Sequence, residues 1–266
     1  MISGMKHIRE PAVAGTFYPA RGDELRDMLD TLLAATPDDQ TPPKAMILPH
    51  AGYIYSGPVA ATGYARLRSV AGSVRRVVVL GPSHRVAFHG LAVPDDRVFR
   101  TPLGDIPLDT ATIQALHTLP QVRVDNEVHR LEHSIEVHLP FLQEVLEDFE
   151  LVPIVVGDAA PAEVSEVIAR LWDGPETLLI VSSDLSHYHD YATATRLDRE
   201  TSDAIETLAF EKIGYEHACG RNPVSGLLLY ARQQGLRVAT VDLRNSGDTA
   251  GPRDQVVGYG TYVINR

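Results

Sequence analysis

Three imidazoles follow closely behind apolar runs, and each sits in a tight, polar loop. In LPHAGYIYSG, residues 48–57, His50 comes after AMIL and leads into glycine. VVVLGPSHR, residues 77–85, repeats the pattern with His84. LLIVSSDLSHYHD, residues 178–190, repeats it again with Asp184, His187 and His189. Nine of the eleven histidines lie between residues 50 and 189. That span is over half the chain, so position rather than number carries the argument. Neutral imidazole is a common ligand for iron, zinc, copper or nickel, and two or three of them with a carboxylate make a catalytic metal site. A single strand-end histidine is more often a hydrogen-bonded structural residue. Three in matching positions point to one shared pocket that includes His50 and His84. His187, with Asp184 beside it, is placed as the proton carrier, because an ordinary imidazole titrates near about 6.5.

The surroundings offer further candidates. In EHSIEVHLPFL, His133 and Glu136 are three apart and would share a helix face. They read either as a metal site or as carboxylates and imidazoles that orient one, and the supporting or substrate-contacting role is preferred for His133, Glu136 and His138. The segment lacks HExxH, so the zincin pattern is absent. His89 and His189 are weaker candidates, and His7, His117 and His217 read as surface or structural residues. Tyr53, Tyr55 and Tyr188 adjoin the histidines and would either pack at the pocket rim or bond a substrate. In RNSGDTAG, residues 244–251, Asp248 is the strand-end carboxylate available as a third ligand, with a solvated turn as the alternative. Cys219, the single cysteine, reads as a buried thiol near the pocket rather than as a nucleophile. No GxSxG, P-loop or GxGxxG is present, which removes the main support for serine hydrolase, P-loop NTPase and dinucleotide readings.

These loops need a scaffold, and the pattern supplies one. RGDELRDMLDTLLA, residues 21–34, has helical spacing, and AMILPH reads as a short buried strand. A helix over 56–69 capped by Ser56, a strand over 75–81 and a helix over 108–119 started by Asp109 or Thr110 follow. A helix is expected from about His133 to 148, kinked or divided by Pro140. Strands over 149–157 and 176–184 flank a helix over 160–172; helices over 197–211 and 222–235 precede two last strands. Residues 85–107 are less regular, with short strands around FHGLAV, and 38–44 is a loop. Alternating strands and helices imply an α/β fold with a mainly parallel sheet covered on both faces. Ligands then lie beyond the carboxyl ends of the strands, where the histidine loops fall.

The 266 residues, with no linker, repeat or low-complexity stretch, are read as a single domain, 1–266. A net charge of −11 argues against a general nucleic-acid or anionic-membrane partner. No apolar run is long enough to span a membrane, and the start, from Met1 to about Ile8, reads as a flexible leader without a signal-peptide core. The lone cysteine excludes an internal disulfide and fits a reducing cytoplasm.

The set REPAVAGTFYPA, ILPHAGYIYSG, LGPSHR, EHSIEVHLPFL, VSSDLSHY, CGRNPVSG and NSGDT resembles the Memo (mediator of cell motility) family, from about Arg9 to the end. That family is similar in fold to the class III (LigB-type) extradiol dioxygenases, which implies a three-layer α/β/α sandwich. The resemblance implies that His50 and His84 match metal-binding histidines and that His187 matches an acid/base histidine. It places a cysteine of the eukaryotic members in the last loop, where this chain has Thr249, so no thiolate is expected there. A divalent metal is implied, iron first, with copper or zinc as alternatives. The implied function is a non-haem metal-dependent oxidoreductase acting on an unidentified small molecule. The alternatives are a metal- or peptide-binding module and a metal-dependent hydrolase. Prokaryotic members accompany an AMMECR-type protein and a radical SAM enzyme, which makes these expected pathway partners.

Overall fold

A computed structural model describes residues 7–36 and 41–265. At its centre four parallel strands run side by side in the order Glu150–Val156, Arg76–Pro82, Thr177–Ser182, Ala45–Leu48. Their sequences, ELVPIVV, RVVVLGP, TLLIVS and AMIL, are nearly continuous apolar runs because both faces of the sheet are covered. The next strand on each side is antiparallel to this centre. Leu91–Val93 pairs antiparallel with Glu150–Val156 and carries Val122–Val124 outside it. On the other side Val256–Asn265 pairs antiparallel with Ala45–Leu48, and both Arg237–Asn245 and His187–His189 pair with it. The mainly parallel sheet expected from the sequence is therefore parallel in its middle and mixed overall. A separate three-stranded sheet joins Ile8–Arg9, Val98–Thr101 and Gly104–Pro107, which the irregular composition of 85–107 did not announce.

Helices Pro161–Leu171 and Arg221–Gln234 pack on each other, and the second lies against the two innermost strands. Gly22–Ala34, Tyr53–Tyr64 and Leu139–Val145 pack together as the other helical layer. The result is a three-layer α/β/α fold. Among the described residues, no helix is long and apolar enough to cross a membrane.

Register brings the loops together. Leu48 pairs with Ser182, and Leu80 with Val181, so three strands end at one level. His50, Asp184 and His84 each lie two residues beyond Leu48, Ser182 and Pro82, respectively.

Three local expectations change. The helix after His50 begins at Tyr53 rather than Ser56, and Ser56 is inside it with its hydroxyl on the Ala51 carbonyl at 2.9 Å. The helix expected from about His133 is absent as such: after Asn126–Arg130 the chain is irregular through residue 135, makes a short 3-10 turn at Glu136–His138, and resumes at Leu139–Val145. Pro140 stands in the first turn of that last helix, where a missing N–H costs nothing. Of the expected leader, residues 1–6 lie outside the described residues, while Ile8 begins a strand. Of the expected loop 38–44, residues 38–40 lie outside them.

Candidate metal centre

His50, His84 and His133 converge. Each offers a ligand atom within 4.8 Å of the other two. The ring centroids are 5.1 Å apart for His50 and His84, 5.5 Å for His50 and His133, and 4.6 Å for His84 and His133.

Their orientations are fixed from behind. The Ser182 hydroxyl donates its single proton to the Ser134 carbonyl at 2.6 Å. It must then accept from His50 Nδ1, 2.6 Å away, and from His138 Nε2, 2.7 Å away. This leaves the His50 lone pair on Nε2, facing the cluster. His138 is held from its other side by the Tyr64 hydroxyl, which donates to Nδ1 at 2.7 Å. His84 Nδ1 contacts Glu132 Oε1 at 2.9 Å, so its Nε2 is likewise free. A carboxylate or hydroxyl behind each imidazole is the arrangement that orients metal-binding histidines.

Glu132 also explains why the segment is not helical. Its carboxylate accepts from the backbone N–H groups of His84, His133 and Ser134 at 2.6, 2.9 and 2.9 Å. A side chain that captures local backbone donors competes with helix formation. Burial opposes the charge on Glu132, but the His84 ring and backbone, with Ser134, outweigh it and hold the carboxyl down at about 2. The imidazoles are pushed the other way. Burial, then the neighbouring histidines, lowers His50 well below its ordinary range. Burial against the pull of Glu132 brings His133 to about 4. These rings are neutral at pH 7, as ligation requires.

Two close approaches complete the pocket. A Cβ at Gly81 would fall 2.5 Å from Ser134 Oγ, so only glycine lets the Glu132–Ile135 segment lie on this strand end. A Cβ at Gly220 would fall 2.4 Å from the Ser182 carbonyl. Glycine there brings Cys219 Sγ to 3.3 Å from His50 Nε2. Cys219, read from the sequence as a buried thiol near the pocket, thus reaches the site from just before helix Arg221–Gln234 and not from the last loop. Burial, then Asp184, raises the Cys219 thiol well above its ordinary range.

The other candidates divide. Asp184 is buried beneath the His50 loop and accepts from the His50 N–H at 2.7 Å. Burial raises it to about 7 against that bond and its companion from Ala51. His187 lies near His50 and His84, and burial lowers its pKa. Tyr188 is exposed beside it, at a φ of 61°, and Tyr55 is half exposed. Both neighbour Tyr259, a buried ring near Asp184 that the sequence did not single out.

Four placements are corrections. Asp248 does not join the histidines; it accepts from the Tyr191 hydroxyl at 2.7 Å and from the Asn245 N–H at 3.1 Å, closing a short helical turn. Thr249 bonds the Ser246 carbonyl in the same turn. Tyr53 is in the core with its hydroxyl on the Val137 carbonyl at 2.7 Å. Glu136 faces away from the cavity, fully buried, accepting from the Arg9 guanidinium, the Ala12 and Val13 N–H groups and the Tyr18 hydroxyl. Arg9 in turn donates to the Glu132 carbonyl at 2.6 Å, so it ties the first strand to the loop that positions His84. Ser182, Tyr64 and Arg9 carry no sequence signal of their own: a serine, a tyrosine and an arginine become informative only when their partners are known.

The donor set fits a divalent metal. Three imidazoles converge, two with their far nitrogens engaged, and His133 Nδ1 is buried without a hydrogen bond although Glu132 Oε1 lies 3.4 Å away. A cavity of about 540 Å³ opens beside them, bounded by Ser83 and Cys219.

Comparisons with known proteins bear on the family and the fold. The family model for the Memo-like protein matches residues 9–263. A MEMO1 family protein of Thermoplasma acidophilum is 35% identical, with 96% of this chain and 98% of that protein covered. One of Aquifex aeolicus is 34% identical over 95% and 97% of the two chains, and one of Methanosarcina barkeri is 36% identical over 97% and 100%. The crystal structure of an uncharacterized protein from Escherichia coli K12 is similar in fold, with a TM-score of 0.53 at 13% identity, covering 82% of this chain and 98% of that one.

Proposed function

The chain belongs to the Memo-like family, and from that premise we propose that it is a non-haem metal-dependent oxidoreductase built on His50, His84 and His133. The observation that carries this is the convergence of three imidazoles, two of which have their outer nitrogens held by Ser182 and Glu132 so that the inner ones point together. Iron is the first choice of metal, with copper or zinc as alternatives, because neutral imidazole suits all three. When bound, such an ion supplies one-electron chemistry and open positions for a substrate.

The chain's own residues do the rest. His187 holds the proton-transfer role: burial keeps its imidazole neutral and so able to take a proton from a substrate hydroxyl. Asp184 acts through the backbone, fixing the loop that carries His50. Ser182 and Glu132 set the tautomers of His50 and His84.

A second reading, metal-assisted hydrolysis, is favoured by the three-histidine set, which also suits a zinc ion that lowers the pKa of water. Oxygen uptake separates the two. Iron-loaded protein should consume oxygen with catechol-type substrates, and His187→Ala should abolish uptake while keeping its metal. Hydrolysis of a model ester by zinc-loaded protein, with no oxygen uptake by the iron form, would favour the second reading. Loss of metal in His187→Ala would remove it from the proton-transfer role.

A further inference from the structure

The cavity beside the histidines has one feature that the metal centre does not use. Arg221 lies on its wall with Phe88, His89, Tyr215, Cys219 and Asn222. The Arg221 guanidinium carbon is 3.3 Å from the centre of the Tyr215 ring, so the planar group is stacked on its face. Its Nε is buried and has no hydrogen-bond partner.

The other arginine–aromatic stacks of the molecule differ in this respect. Arg9 over Phe99 pairs with Glu136, and Arg123 over Phe88 pairs with Asp125. Arg232 over Phe210 pairs with Glu211, and Arg253 over Tyr191 with Asp248. In each, the aromatic ring takes the face of the guanidinium and a carboxylate takes its edge. Arg221 has the ring, and among the described residues no ion pair fills its edge.

We propose that this cavity is a substrate subsite in which Arg221 pairs with the carboxylate of a small aromatic acid. A guanidinium whose face is already stacked keeps its N–H fork in one plane, which suits a two-point grip on a carboxylate. Phe88 and Tyr215 add ring surface for an apolar body. The volume, about 540 Å³, is in the range of small-molecule sites, roughly 300–1,000 Å³. A lone guanidinium favours a carboxylate over a phosphate, which would draw on further donors. Asp158 at the mouth carries the opposing charge, and His89 lies against it at 3.2 Å. The ligand's far end would meet Cys219 and the histidines. That orientation rests on the metal-centre reading, whereas the carboxylate contact does not.

The test is calorimetric titration of the whole protein with benzoate, benzamide and inorganic phosphate, in metal-free and iron-loaded forms. Benzoate should bind both forms and benzamide more weakly. Arg221→Gln should weaken benzoate by at least about tenfold, the worth of a charge-assisted hydrogen bond, and leave benzamide unchanged. Arg221→Lys should fall between, having charge without the fork. Asp158→Asn should tighten benzoate, and it tests the subsite even where Arg221→Gln fails to fold. In His50→Ala/His84→Ala, benzoate affinity should persist. Benzoate binding that ignores Arg221→Gln overturns the subsite, as does no binding at all. Phosphate preferred over benzoate in an Arg221-dependent way overturns the carboxylate class. Binding seen only with metal, and lost in the double histidine variant, also overturns the subsite while upholding the metal centre.

Discussion

Replacing Ser182 by alanine removes one hydroxyl and disturbs three partners. The side chain is fully buried, so no water replaces it. The Ser134 carbonyl and the N–H groups of His50 and His138 each lose a bond of 2.6–2.7 Å. At roughly 1 kcal/mol net per bond, the loss is about 3 kcal/mol of stability. That is a large share of a typical total of about 5–15 kcal/mol. The second effect is chemical. Without an acceptor at Nδ1, His50 is free to carry its proton on Nε2, facing the cluster, where it blocks a metal. Loss of such an orienting partner weakens metal binding by about 10–100-fold. Urea unfolding of metal-free protein reads the first effect, and Co(II) absorption titration the second. Tyr64→Phe is the comparison: it breaks the bond to His138 but spares His50, so it should cost about 1 kcal/mol and leave metal affinity within about twofold. The reasoning is refuted if Ser182→Ala binds metal like wild type, or if Tyr64→Phe weakens it equally.

Three other outcomes are expected. Glu132→Gln should weaken metal binding by about 10–100-fold, because His84 loses the charge behind it; metal titration checks this. Arg9→Leu should cost about 3–5 kcal/mol in urea unfolding, because it leaves Glu136 as a buried charge without its cation. Asp198 gives the pH dependence. Burial raises it to about 6, against the Ser186 N–H bond, compared with an ordinary 3.8. The folded state therefore holds a proton that the unfolded state has released between those values, so stability rises as pH falls from about 6 to about 4, by up to roughly 3 kcal/mol from this group. Asp198→Asn should remove that contribution, which denaturant curves at pH 4.5 and pH 7 in both proteins would show as a flatter profile.

Much of the framework was legible in the sequence because the central strands are apolar throughout and the helices between them are amphipathic. His50 and His84 were legible for the same reason: each follows an unmistakable strand. The rest depended on what the chain does at a distance. The EHSIEVH segment has helical spacing, yet Glu132 takes backbone N–H groups for itself, and His133 turns into the cluster instead of along a helix face. Glu136 lies four residues on from Glu132, but Arg9 and Tyr18 draw it to the opposite side. Cys219 could not be linked to His50 across 169 residues, since a contact between Gly220 and the end of a strand creates that link. Asp248 follows a strand and so reads as a third ligand, but that strand, Arg237–Asn245, pairs with Val256–Asn265 at the side of the sheet and is not among the central four.

Metal content tests the central claim most directly. Untagged protein purified without oxygen and analysed by elemental mass spectrometry should carry near-stoichiometric iron or copper. His50→Ala/His84→Ala should carry none, and His133→Ala should carry much less. Wild type that stays metal-free even after reconstitution, or a double variant that keeps its metal, would contradict the account.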